Sequence, residues 1–247
     1  MRRQPPGRPG SRGYRIDCEG RPFSRMNTFA FPVLISLISF CGVPPTQAQS
    51  ATQARITFIE EEQERARQQL RRLLSQYELD PWIFTQRVKI EAGVDPHSHP
   101  ILTLNTDFLD NDELQLSVFL HEQAHWFVSQ SVPPRASEDG EEVAVIQELR
   151  QMYPNPPVPD YNAYLHLVVA WVELDAMAEL VGEQKARPLL REKVQRLVTE
   201  PLSDVDKRYS WYNMRVLEDT EAIGKILQKH ELIITPEQGL LISAGRK

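Results

Sequence analysis

One five-residue stretch concentrates the chemistry that this sequence could perform: residues 121–125 read His-Glu-Gln-Ala-His. On a helix, residues four apart lie about one turn apart, so the imidazoles of His121 and His125 project from one face and can bind the same metal ion. Glu122 lies about 100° further round, where its carboxylate can take a proton from a metal-bound water. The pattern predicts metal-dependent hydrolysis, with two histidine ligands and Glu122 as the general base.

A third metal ligand must come from elsewhere, because a catalytic zinc ion usually has three protein ligands and one water. Positions 128 and 131 are Val and Ser, which excludes a third histidine directly after the motif. Two candidates remain, His166 and Glu173, on one stripe of a predicted helix. Glu173 is the better one, because a buried carboxylate with no basic residue within a helical turn needs a cation. Its alternative is a salt bridge to a distant basic residue.

Two side chains are candidates for stabilising the oxyanion on a substrate carbonyl. His166 lies two helical turns from Glu173, about 10 Å, and therefore fits a hydrogen-bond donor better than a second ligand. A satisfied core histidine is the competing interpretation, and His166 also stays open as the third ligand. Tyr212 belongs to an aromatic cluster that begins at Tyr209, and its hydroxyl is a second candidate donor. Aromatic side chains at helical spacing are also typical of a core.

The elements that must position these residues are mostly helices. Hydrophobic periodicity, capping residues and prolines predict helices over residues 50–77, 112–130, 138–152, 161–181, 183–197 and 204–231. Residues 82–91 alternate as a strand would, and residues 101–104 form a second short apolar run. We therefore predict an α+β fold, mostly helical, with a small antiparallel or mixed sheet before the helix that carries the motif.

Three local expectations accompany this fold. The charged helix over residues 50–77 is a possible arm over the cleft. The strand over residues 101–104 lies where a zinc peptidase places the edge strand that binds its substrate. The segment His97-Ser98-His99 is flanked by prolines, which is typical of a solvated turn, although its two histidines could bind a second metal ion.

The N-terminal residues have the pattern of a secretory signal peptide. An apolar run over residues 29–43 is 15 residues long, short of the ~20 that cross a bilayer, and small residues follow it. We predict cleavage after Ala48 or Ser50, which makes residues 1–48 a leader whose true start is Met26. Residues 49–247 then form a single domain that is exported, either to the periplasm or out of the cell.

Charge and cysteine content exclude several function classes. The chain has 28 basic and 34 acidic residues, and removal of the leader leaves 21 and 32, so no basic footprint for nucleic acid exists. Both cysteines, Cys18 and Cys41, lie in the leader, which excludes cysteine nucleophiles, disulfides and cysteine–zinc sites from the mature domain. No stable membrane span is expected after cleavage, and the oligomeric state is not predicted.

The motif and a later glutamate resemble the gluzincin branch of the zincin-like metallopeptidases over about residues 82–181. The resemblance implies a zincin-like fold, a Zn²⁺ ion held by His121, His125 and Glu173, and Glu122 as base. Residues 117–126 are also similar to those of small, uncharacterised bacterial HExxH proteins. One position departs from the family: Met177 stands where many gluzincins have an aspartate that orients a zinc-bound histidine.

These observations predict a zinc-dependent metallopeptidase that acts on a peptide or protein substrate. The alternative is a non-catalytic binding domain, metal-stabilised or metal-free, that keeps a zincin-like scaffold. A hydrolase of some other bond is a third possibility. The presence of Glu122 favours the enzyme, because a purely structural metal site does not need a general base.

Overall fold

Seven α-helices and two short strands make up the part of the chain that the computed structural model describes, residues 46–132, 143–198 and 203–234. All of these residues belong to one unit that begins at Thr46. The predicted leader up to residue 45 and the predicted helix start at Glu138 lie outside the described residues. The helices are α1 Thr46–Gln76, α2 Asp112–Ser131, α3 Ala144–Met152, α4 Tyr161–Val181, α5 Glu183–Leu197, α6 Asp204–Glu218 and α7 Thr220–Lys229; the strands are β1 Val88–Ile90 and β2 Leu102–Leu104.

The mostly helical architecture is confirmed, but the predicted antiparallel sheet is wrong. β1 and β2 run parallel, with Val88 opposite Leu102. The connection over residues 91–101 is long enough to return the chain to the start of β1, which a parallel pair requires. On the other side of β2, His97 forms an antiparallel bridge with Thr103. The backbone of Thr103 is therefore already paired, contrary to the free edge expected there.

The part of α1 from Ala66 onward packs into the core and is not an arm over a cleft. Leu70 and Leu73 are buried, and α1 contacts both α2 and β1. Gln69 donates from Nε2 to the carbonyl of Phe108 and to Oδ1 of Asp112, at 3.0 Å in each case. These contacts join α1 to the residues that begin α2.

α4 is the central helix, and it packs against α2, α5 and α6. Most of its side chains are apolar and buried, which is typical of a central helix. Asp160 caps its first turn by accepting from the backbone N–H of Ala163 at 2.8 Å. Gly182 ends it at φ +84°, a conformation that favours glycine, and the chain returns along α4 as α5. Among the described helices, none is both long and apolar enough to cross a membrane.

The single helix predicted for residues 204–231 is instead two helices, with a break at Asp219. Trp171 donates from Nε1 to the carbonyl of Thr220 at 2.8 Å, and Arg187 donates to the carbonyl of Leu217. Both donor side chains come from other helices, and both form hydrogen bonds with backbone carbonyls at the break. Hydrophobic periodicity cannot reveal such a break, because the groups responsible are distant in sequence.

Gly224 lies against the indole of Trp171, and its replacement by alanine is expected to destabilise the protein. An added Cβ would lie 2.8 Å from Cζ2 of Trp171, closer than real contacts allow. The indole is held by its hydrogen bond to Thr220 and cannot easily move. Overpacking costs about 1–3 kcal/mol, which offsets or exceeds the ~1 kcal/mol that alanine gains in a helix. Chemical denaturation of Gly224→Ala, with exposed Gln228→Ala as control, measures the effect; a gain of about 1 kcal/mol, the full benefit of alanine in a helix, would contradict the packing argument.

Candidate metal centre

Three histidine rings meet between α2 and α4. The ring of His125 lies 5.0 Å from that of His121 and 4.8 Å from that of His166, measured between centroids. One nitrogen of each ring lies within 4.8 Å of the others, so this group could hold a metal ion. Ligand nitrogens around a tetrahedral zinc ion are about 3.4 Å apart, since each Zn–N bond is about 2.1 Å. Small rotations of the rings would bring the nitrogens from within 4.8 Å of one another to this shorter separation.

Hydrogen bonds define which ring nitrogens are free to bind a metal. Nδ1 of His166 lies 2.7 Å from the carbonyl oxygen of Asn162, which can only accept, so Nδ1 carries the proton. Nδ1 of His121 lies 2.8 Å from Oε2 of Glu173 and donates to that carboxylate. The Nε2 lone pair of both rings is therefore available.

The three rings are neutral at neutral pH, which is the form that binds metals. Burial lowers the pKa of His121 below its ordinary value, against the opposing effect of Glu173. Burial followed by the neighbouring imidazoles lowers the pKa of His125 well below that value. Burial also lowers the pKa of His166, to about 4.

Glu173 is buried against α2 and α5, where three donors satisfy it. His121 donates to Oε2, while Ser117 and Lys193 both donate to Oε1. Burial alone would raise the pKa of the carboxyl group, but the Lys193 ammonium and the His121 hydrogen bond outweigh it and hold the pKa at about 2. Glu173 is therefore an ionised acceptor behind the His121 ring.

The structure groups His166, and not Glu173, with His121 and His125. The sequence favoured Glu173 as the third ligand and His166 as an oxyanion donor. Instead, the ring of His166 belongs to the metal-capable group, and Glu173 contacts Nδ1 of His121. His166 and Glu173 are two turns apart on α4, as expected. Glu173, the later of the two in the chain, lies behind the ring of His121. Met177, where the gluzincin resemblance suggested an orienting aspartate, is buried among apolar residues, and Glu173 occupies the orienting position.

Glu122 and two tyrosines of α6 lie beside this group. Glu122 is 6% exposed on α2. Burial, followed by nearby charges that include Glu122 and Glu173, raises the pKa of Tyr209 and Tyr212 well above its ordinary value. Both hydroxyls are therefore protonated and can donate a hydrogen bond. The ring of Tyr212 stacks on that of His166 at 5.1 Å and 25°, so the predicted tyrosine does lie at the centre.

Three residues that support the centre were missed from the sequence. Ser117 lies one turn before His121 on the same helix face, a spacing that could have indicated it. Lys193 continues the buried stripe of α5 that includes Ala186 and Leu190, and a lysine at that position is a detectable signal. Gln123, inside the motif, is fully buried, and nothing in the sequence indicates its structural role.

Gln123 fastens α2 to the segment that precedes β1. Its Oε1 accepts from the backbone N–H groups of Phe84 and Thr85, at 2.8 and 2.9 Å. Its Nε2 donates to the carbonyl of Thr85 at 2.8 Å. One side chain thus satisfies three backbone groups, and the middle of the motif is a structural anchor.

The segment around His99 is also more ordered than a solvated turn. Ser98 is buried, and its carbonyl accepts from Nε1 of Trp126 at 2.8 Å. The ring of His99 stacks on Trp126 at 4.2 Å and 22°. His99 also contributes to the lowered pKa of His125. This loop therefore lies near the histidine face, although the described metal-capable group does not include it.

The metal-free protein is expected to lose stability as the pH falls from 7 to 5. The folded state keeps His166 neutral with a pKa of about 4, whereas the unfolded chain takes up a proton below about 6.5. Stability that is present above pH 6.5 is therefore lost between pH 6.5 and 4. Down to pH 5, which is about 1.5 units below 6.5, His166 alone accounts for about 2 kcal/mol of this loss, at about 1.36 kcal/mol per unit. Denaturant titrations at both pH values test this, and His166→Gln should show a smaller dependence; an unchanged dependence would be the contrary result.

Comparisons with protein-family models, with curated proteins and with solved structures find no match to this chain. The gluzincin resemblance therefore stays a prediction from the motif.

Proposed function

We propose that this protein is a zinc-dependent metallopeptidase whose metal ligands are His121, His125 and His166. The observation that carries the proposal is the meeting of three neutral imidazoles beside the buried carboxylate of Glu122. Three imidazoles with available nitrogens suit zinc, and a set of three protein ligands is the number that leaves a position for water. When bound, the zinc ion would make that water more acidic and would polarise a substrate carbonyl.

Glu122 is the general base in this proposal. It follows His121 directly on α2, so its carboxylate lies on the side of the helix next to the histidine face. It would accept the proton from the attacking water and pass it to the leaving amine of the cleaved peptide bond. A structural metal site would gain nothing from a buried carboxylate at this position, which favours the enzyme over the binding-domain alternative.

Tyr212 is proposed as the donor to the oxyanion. Its hydroxyl keeps its proton at neutral pH because burial and nearby carboxylates raise its pKa. Its ring is held against His166, which fixes its distance from the histidine group. A preorganised neutral donor stabilises developing negative charge without needing to reorganise. His166, first considered for this role, is assigned to the metal instead.

Two parts of the proposal rest on the sequence alone. The peptide substrate rests on the gluzincin resemblance, and export rests on the N-terminal pattern. Glu122 and the metal would hydrolyse other carbonyl bonds by the same chemistry. A peptide library and an ester library, tested side by side, distinguish the two. Cleavage of esters alone would remove the peptidase assignment and keep the hydrolase.

The proposal is tested by measuring the metal content of the purified full chain by elemental mass spectrometry. We expect about one zinc per chain. His121→Ala should lose it, and His97→Ala, which removes a histidine outside the group, should keep it. A wild-type chain that takes up no metal when zinc is supplied would remove the proposed enzyme and leave the metal-free binding domain.

A further inference from the structure

Lys193 is a buried cation, and one side chain, that of Glu173, lies between its ammonium and the metal-capable histidines. Lys193 and Glu173 each have only 1% of their side-chain surface exposed. The ammonium is paired with Oε1 of Glu173, whose other oxygen accepts from Nδ1 of His121. A continuous chain of charged hydrogen bonds therefore joins α5 to the histidine face through α4.

A buried ion pair is not by itself a source of stability. Taking two charges out of water is costly, and well-packed apolar residues are often equally or more stabilising. The neighbours of Lys193 on the buried stripe of α5 are Ala186, Leu189 and Leu190, so an apolar side chain would continue that stripe. The lysine therefore calls for an explanation at the metal centre.

The hydrogen bonds to Glu173 determine whether its oxygen atoms are free to bind a metal ion. Oε1 already accepts from both Lys193 and Ser117, and Oε2 accepts from His121. A carboxylate is itself a good zinc ligand, and an uncompensated one beside the ion would be drawn to it. The ammonium of Lys193 both occupies Oε1 and balances the charge.

We infer that Lys193 is a positioning residue that keeps Glu173 behind His121 and off the metal. This inference rests on the proposed function. Lys193 from the next helix, together with Ser117, holds the carboxylate of Glu173 in place. Glu173 in turn orients the ligand His121. This placement also accounts for the open coordination position, since a carboxylate that reached the ion would compete with the water for it.

The test uses the full chain loaded with Co²⁺, whose visible absorption reports coordination number. We expect Lys193→Met to weaken metal binding or activity by about 10–100-fold, the usual effect of losing an orienting partner. The position and intensity of its cobalt absorption bands should both change as the carboxylate replaces water or adds to the ligands. Lys193→Arg, which keeps the charge, should retain the wild-type spectrum.

A double variant separates positioning from simple stability. Lys193→Met combined with Glu173→Gln removes both charges and keeps an amide oxygen for His121, so it should restore the wild-type spectrum. A Lys193→Met protein that unfolds more easily but keeps the wild-type spectrum and metal affinity would overturn the inference. So would a double variant that behaves like Lys193→Met. A wild-type chain that binds no cobalt would instead overturn the proposed function together with this inference, and the two failures are therefore distinguishable.

Discussion

Glu122→Gln is expected to lower kcat for peptide hydrolysis by about 10²–10⁴-fold, the contribution that a positioned general base usually makes. Glutamine has nearly the same shape but cannot accept the proton of the attacking water. The histidine group is untouched, so metal content and the free energy of unfolding should stay close to the wild-type values. The measurements are steady-state kinetics on a cleaved peptide and elemental analysis of the same preparation.

The matched control is Glu113→Gln, which makes the same change near the start of α2, where the carboxylate pairs with Lys185. It should keep the wild-type kcat, because Glu113 lies about two helical turns before the histidines. Full activity in Glu122→Gln would remove the general-base role. Loss of metal in the same variant would show that Glu122 acts on the ion rather than on water.

His166→Ala is expected to lower zinc affinity by more than about 100-fold. Loss of an outer hydrogen-bond partner typically costs 10–100-fold in affinity, and loss of a direct ligand costs more. Only two imidazoles would remain, both on α2. Competition with a chromophoric chelator measures the affinity, and circular dichroism checks that the helix content of the protein is unchanged.

Glu173→Gln is the control that distinguishes the two candidates for the third ligand. Its amide oxygen can still accept from Nδ1 of His121, so the affinity should fall by about 10–100-fold and not further. The opposite order, with Glu173→Gln losing all zinc and His166→Ala keeping it, would restore the ligand set that the sequence favoured.

The local part of the site could be predicted because it depends on one helix. His121, Glu122 and His125 are close in sequence, and helix geometry alone places the two imidazoles on one face. The bounds of α4 and α5 follow from Asp160 as a cap and Gly182 as a stop, both of which are local signals.

The rest of the site depends on distant partners, which no local pattern contains. Glu173 had no basic neighbour within a turn of α4, and its partner Lys193 comes from α5, beyond the turn at Gly182. Whether a buried carboxylate binds a metal or a lysine is decided by that packing. The parallel direction of the sheet is likewise set by the path of residues 91–101 and not by the strands themselves.

The anchor formed by Gln123 has a consequence for how the protein unfolds. Within five residues, the motif contacts two separate parts of the chain: the backbone at Thr85, and α4 through the carboxylate of Glu173 and the ring of His166. No short fragment around α2 contains these partners. The metal-capable geometry should therefore appear and disappear in the same cooperative transition as the fold, without a stage in which one exists without the other.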